Sequence, residues 1–147
     1  MSQVEKNKSA IREFTRIFKN EHNVDGITHL FAKNFRHNFR APVAPGLRGY
    51  QDIGRMMNGA FPDVHVKETD LIATEDTVVE RSYVVGTHKG TYGEGTPFKT
   101  PATGKKIEWW EIHIYKFDKE GKISEHFVEM AMLELLMQIG AVKLTNE

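Results

Sequence analysis

Trp109, Glu111, His113 and Tyr115 share one face of any β-strand drawn through residues 107–115, because successive side chains in a strand point to opposite sides. A carboxylate and an imidazole two residues apart on such a face come within reach of one ligand. An imidazole titrates near neutral pH, and a neighbouring carboxylate can orient it and favour its protonated form, a combination that suits proton transfer. The same spacing also fits a solvated face on which Glu111 and His113 pair with cross-strand neighbours. The opposite side of the run, Trp110, Ile112 and Ile114, reads as burial against helices or against a second subunit.

Other histidines stand in weaker contexts. His126 lies between Glu125 and Phe127 on a later extended run, as a wall residue, and His37 sits between Phe35 and Phe39 at the entrance of a loop, which suits a pocket rim. His65 and His88 have little context, and His22 and His29 read as surface residues. No HxH or H-x3-H pair occurs and there is no cysteine, so no metal site is expected. Walker, GxGxxG, GxSxG and HExxH motifs are also lacking, so any activity must rest on a constellation rather than a motif.

The elements that must position these groups belong to a chain of 147 residues, which fits one domain over 1–147. Lys plus Arg and Asp plus Glu number 20 each, and a net charge of zero lacks the electrostatic footprint of a nucleic-acid or anionic-membrane binder. No run approaches the ~18 apolar residues of a membrane span. A soluble, cytoplasmic protein is expected.

Val4, Ile11, Phe14, Ile17 and Phe18 recur at helical spacing, predicting an amphipathic helix over residues 3–20. A shorter helix is expected over 24–32, with Ile27, Leu30 and Phe31 inside, and a third over about 50–60, ended by Phe61-Pro62. From residue 64 the period falls to two. Strands are expected over 64–73, 77–89, 105–117 and 122–130, with a Gly- and Pro-rich loop at 90–104 as a candidate lid or rim. A helix over about 131–139 closes the chain, stopped by Gly140. Helices grouped before strands predict an α+β fold, helices packed on one face of a curved antiparallel sheet.

The run Gly121-Lys122-Ile123-Ser124-Glu125-His126-Phe127, followed by Gln138-Ile139-Gly140, resembles the GKIxEHW and QLG ending of the SnoaL-like polyketide cyclase family. Ala60-Phe61-Pro62-Asp63 is similar to its AFPD, Gly86-Thr87-His88 with Gly90 to its GTHxG, Thr103-Gly104-Lys105 to its PTGK, and Arg36-His37-Asn38 to its DHN-like segment. The resemblance implies the cone-shaped α+β roll of the nuclear transport factor two-like superfamily, an apolar cavity and a homodimer formed through the sheet. It also implies an aldol ring closure that needs no cofactor or metal.

Two positions depart from that pattern. The aspartate that does the proton chemistry in the cyclases falls, by its spacing from the EHW and QLG motifs, on Ala131, and the small residue three further on is here Glu134. Glu129 stands two positions earlier, a displacement of about 6–7 Å along a strand. Two functions therefore stay open. An enzyme would use His113 and Glu111 as its proton-handling pair, with His37 or His126 as a polarising donor. A binding protein would hold a small apolar ligand in a cavity with Trp109, His126, Phe127, Met130 and Ala131 in its wall. A third reading is a dimerisation module, and the scaffold alone does not choose among them.

Overall fold

The structure is a computed structural model and describes residues 1–145. It opens with α1, Gln3–Phe14, whose first turn is capped by the Ser2 hydroxyl accepting from the Glu5 N–H. Ile11 and Phe14 on its inner stripe are fully buried. The apolar spacing predicts one helix to residue 20, but at Thr15 the backbone widens into a π-helical turn, Thr15–Asn20. Such turns are uncommon and frequent at functional sites. Here it carries Thr15 and Lys19, which both reach Glu80, and Phe18, which stacks on Phe14 and Tyr50.

The helix expected over 24–32 does not form. Residues 24–27 are turns, Thr28–Leu30 is a single 3-10 turn, and Phe31 opens strand β1, Phe31–His37. His22 has a positive φ of 58°, which turns the chain before a helix could start. Val24, Ile27, Leu30 and Phe31 are all buried nonetheless. Their spacing reported burial, and burial was reached through turns.

Helix α2, Gly46–Ala60, starts four residues before the expected Tyr50, with Pro45 at its N-cap position. Four strands follow as expected: β2, His65–Ala73; β3, Thr77–Thr87; β4, Lys106–Phe117; and β5, Ile123–Met130. Helix α3, Met132–Gln138, closes the fold, and Gly140 beyond it takes the left-handed conformation, φ 78°. The sheet runs β1-β5-β4-β3-β2. It is mixed rather than wholly antiparallel, because β1, unforeseen as a strand of the sheet, pairs parallel with β5.

The three helices pack on this sheet as an α+β roll. Two apolar clusters result, one joining α1, β1 and Tyr50 to Val78 and Tyr115, the other joining Phe61, Val84 and Trp109 to Leu135 and Ile139. No helix among the described residues is long and apolar enough to cross a membrane.

Candidate active site

The alternation on β4 places Trp109, His113 and Tyr115 in the interior, with Glu111 beside them and largely covered. The other parity faces away from the helices. Ile112 is 49% exposed, and Trp110 is covered by the Arg81 guanidinium, 3.8 Å above its ring, and by Tyr83. Burial of Trp110, Ile112 and Ile114 against helices is therefore not what the sheet provides.

Glu111 is held at both oxygens. The Trp109 indole N–H donates to Oε1 at 2.7 Å, and His113 Nε2–H donates to Oε2 at 2.7 Å. His113 Nδ1 in turn lies 2.8 Å from Nε2 of His126, a fully buried residue of β5. Behind this chain stands Glu80 of β3. Its two oxygens accept from the Thr15 hydroxyl at 2.7 Å and the Lys19 ammonium at 2.5 Å, and Lys19 Nζ also lies 3.3 Å from His113 Nε2.

Charge explains why the cluster holds together. Burial alone would raise both carboxyl groups, but the Lys19 and His113 charges with the hydrogen bonds from Lys19 and Thr15 bring Glu80 down to about 2. Glu111 is likewise held at about 2 against its burial, by its hydrogen bond and charge contact with His113, by Lys19 and by the Trp109 indole. His126 is pushed well below the usual histidine value, first by burial and then by the charges of His113 and Lys19. Burial, reinforced by Glu80, raises the Tyr115 phenol, which therefore stays protonated near neutral pH.

These groups form one end of a cavity of about 120 Å³ where the two apolar clusters meet. Lys19, Glu111, His113 and His126 supply its polar end, and Asn58 and His65 also border it. Phe18, Tyr50, Ile53, Met57, Trp109 and Met130 supply most of its apolar wall. Among the described residues no three His, Asp or Glu side chains are arranged to hold a metal ion.

A family model for SnoaL-like polyketide cyclases matches residues 9–139. The chain belongs to the SnoaL-like polyketide cyclase family. No curated protein matches it significantly. Among solved structures it is similar to TsrD from Streptomyces laurentii, with 25% identity, 94% of this chain and 97% of that chain covered, and a TM-score of 0.80. A protein from Acidithiobacillus ferrooxidans assigned as a polyketide cyclase shares 26% identity, with 97% and 100% covered and a TM-score of 0.76. AclR from Streptomyces galilaeus, assigned as a hydroxylase, has the same fold at 23% identity, with 95% and 99% covered and a TM-score of 0.80. The α+β roll is thus the nuclear transport factor two-like architecture of these neighbours.

In this SnoaL-like chain the residues singled out by sequence do not all meet. Trp109, Glu111, His113, His126 and Met130 border the cavity. Phe127 does not: it pairs with Ile114 on the outward parity and is 37% exposed. Ala131 stands at the N-cap position before α3 and packs against the cluster around Trp109 without lining the cavity. His37 also lies outside it, at the end of β1. Its Nε2–H donates to the Ala44 carbonyl and its Nδ1 accepts from the Phe39 N–H, so both nitrogens fasten the adjoining loop.

Glu80, Lys19 and Thr15 went unnoticed in the sequence. A signal existed for Glu80, which shares its strand parity with Val78, Ser82 and Val84, all buried. A lone acid on an apolar parity needs a cationic partner. Nothing in the sequence named Lys19, whose inward direction comes from the π-helical turn.

Proposed function

We propose that the cavity is a cofactor-free acid/base site for a small apolar carbonyl compound, of the aldol cyclisation or isomerisation type. The observation that supports this best is the hydrogen-bonded chain Glu111–His113–His126 ending on a largely apolar cavity. Glu111 takes a proton from the carbon beside the carbonyl, and the electron pair of that C–H bond becomes the enolate. The enolate carbon either attacks a second carbonyl in the same molecule or regains a proton at another carbon, and Glu111 returns the proton. His113 holds the carboxylate in place and shares the proton's charge.

The test is deuterium uptake from heavy water into a panel of small ketones. Wild type should exchange the α-protons, and Glu111→Gln and His113→Ala should slow exchange by about 10²–10⁴-fold, the usual contribution of a positioned acid or base. Equal exchange by all three proteins would overturn the assignment.

A second reading, a non-catalytic binding protein, is favoured by one observation. A carboxylate held at about 2 is far from the operating pH at which a general base works best, and position 131 supplies no other carboxylate. Saturable binding without exchange in any variant would establish it. In either reading the outward sheet face, where Ile72, Ile112 and Phe127 are exposed, joins two copies of the chain. Sedimentation should give a dimer, and Ile112→Lys a monomer.

A further inference from the structure

We infer that the ligand is an uncharged molecule with a single six-membered ring, bearing a carbonyl next to an enolisable C–H or an enol O–H. This rests on the cavity being the ligand site, as above, and adds size, charge and polar pattern.

Size comes from volume. An apolar protein cavity of about 150 Å³ holds one benzene, and this one is about 120 Å³. One ring fills it, and a fused pair must either displace the walls or leave its second ring outside the open side, unburied. Those walls include Phe18 and Tyr50, whose rings stack 5.3 Å apart, and the buried Trp109.

Charge follows from the polar end. Glu80 and Glu111 are both ionised near neutral pH, and Lys19 already neutralises Glu80 at 2.5 Å. Glu111 is likewise paired with His113 at 2.7 Å, so an anionic ligand would add a buried charge with no cation left to meet it, which is unfavourable. A neutral ligand avoids this.

The polar pattern follows from the hydrogen-bonding groups left over. A carboxylate has about four lone-pair directions, and Glu111 uses one from each oxygen, toward Trp109 and His113. An ammonium has three N–H groups. One of those on Lys19 is given to Glu80, and none can go to His113 Nε2, whose own proton faces Glu111, so Lys19 keeps an N–H for a ligand oxygen. His113 has neither nitrogen free. The complement is a carbonyl oxygen for Lys19 and, one atom along, a C–H or O–H for Glu111.

Met57 and Met130 both line the cavity, so their ¹³C-labelled methyl groups in the full chain report binding without any need for turnover. Cyclohex-2-enone should shift both methyls saturably, and benzoate and 1-tetralone should bind at least about tenfold more weakly. Glu111→Gln, which keeps the side chain's shape and removes its charge, should strengthen benzoate binding. Ile53→Ala, which enlarges the cavity from α2, should admit 1-tetralone. The inference is overturned if benzoate or tetralone binds wild type as tightly as cyclohexenone does, or if cyclohexenone moves neither methyl. Cyclohexenone binding without deuterium exchange would sink the acid/base reading and leave the ligand class standing. Tight binding and exchange of tetralone would do the reverse.

Discussion

His113 Nδ1 and His126 Nε2 lie 2.8 Å apart and share one hydrogen bond, so a single proton occupies the space between them. If both rings were imidazolium, two N–H groups would point at each other inside the core. His126 is the ring held neutral, because it is fully buried and faces the charges of His113 and Lys19.

Stability should therefore fall as the solution is acidified, in two steps. His126 has its pKa lowered from 6.5 in the fold, so below about pH 6.5 the unfolded chain binds a proton that the folded chain refuses. Each such group contributes a slope of at most about 1.4 kcal/mol per pH unit. His88, lowered by its burial, adds to the same window. Glu80 and Glu111, lowered from 4.5 to about 2, give a second loss as pH falls from about 4.5 through 2. Urea midpoints measured from pH 8 to pH 3 should show both limbs, and His126→Gln should shallow the first. A flat profile between pH 8 and 5 would contradict the buried neutral histidine.

The Lys19–Glu80 pair predicts a different pattern. Removing one partner of a buried ion pair strands the other charge and costs about 3–5 kcal/mol, whereas replacing both can be nearly neutral. Lys19→Met should thus destabilise strongly, and Lys19→Met with Glu80→Gln should recover most of the loss in urea unfolding at neutral pH. Simple additivity of the two single changes would mean that the pair is not coupled.

How far the sequence reaches is clearest on β4 and at Lys19. Alternation along residues 107–115 separates the two faces of β4, since period two is a geometric property of any strand, but the apolar content of Trp110, Ile112 and Ile114 pointed to burial against helices on a face that the sheet turns outward. Val24 to Phe31 misled because buried turns can repeat apolar residues at helical spacing. The positive φ of His22, which decides the matter, has no strong compositional signature. Lys19 lay beyond reach for a related reason. On a regular helical wheel its neighbours are charged, and only the π-helical turn swings it onto Glu80, a contact 61 residues away.

Gly54 on α2 offers a test that separates cavity from fold. A Cβ built there would stand 2.4 Å from the end of the Phe18 ring, which stacks on Phe14 and Tyr50 and lines the cavity. Gly54→Ala gains about 0.8–1.0 kcal/mol of helix propensity and meets an overpacking cost of about 1–3 kcal/mol. Thermal unfolding should shift by only a few degrees. Ligand affinity should drop by more than about tenfold, since the ring has the cavity to move into. Unchanged affinity for cyclohexenone would mean that the ring relaxes elsewhere.

Ala131→Asp asks what the site lacks. Met130 pairs with Glu111 across β4 and β5, and the Ala131 N–H donates to the Trp110 carbonyl at 3.0 Å, so position 131 stands beside the wall that carries Glu111. A carboxylate placed there has two outlets. It can accept from the free amides at the start of α3, which no side chain now caps, and add about 0.5–2 kcal/mol of stability. Or it can turn toward Glu111, whose charge then raises the new group's pKa, because two neighbouring carboxylates resist double ionisation. The half-buried setting, close to a Glu111 that stays charged down to about 2, favours the second outcome when a carbonyl ligand fills the cavity. A base whose pKa is raised toward neutrality is what Glu111 alone does not supply. We expect Ala131→Asp to raise deuterium exchange by about tenfold or more, with a new limb in the pH–rate profile between about pH 4 and 7. Higher thermal stability with unchanged exchange would show that the carboxylate caps α3 instead.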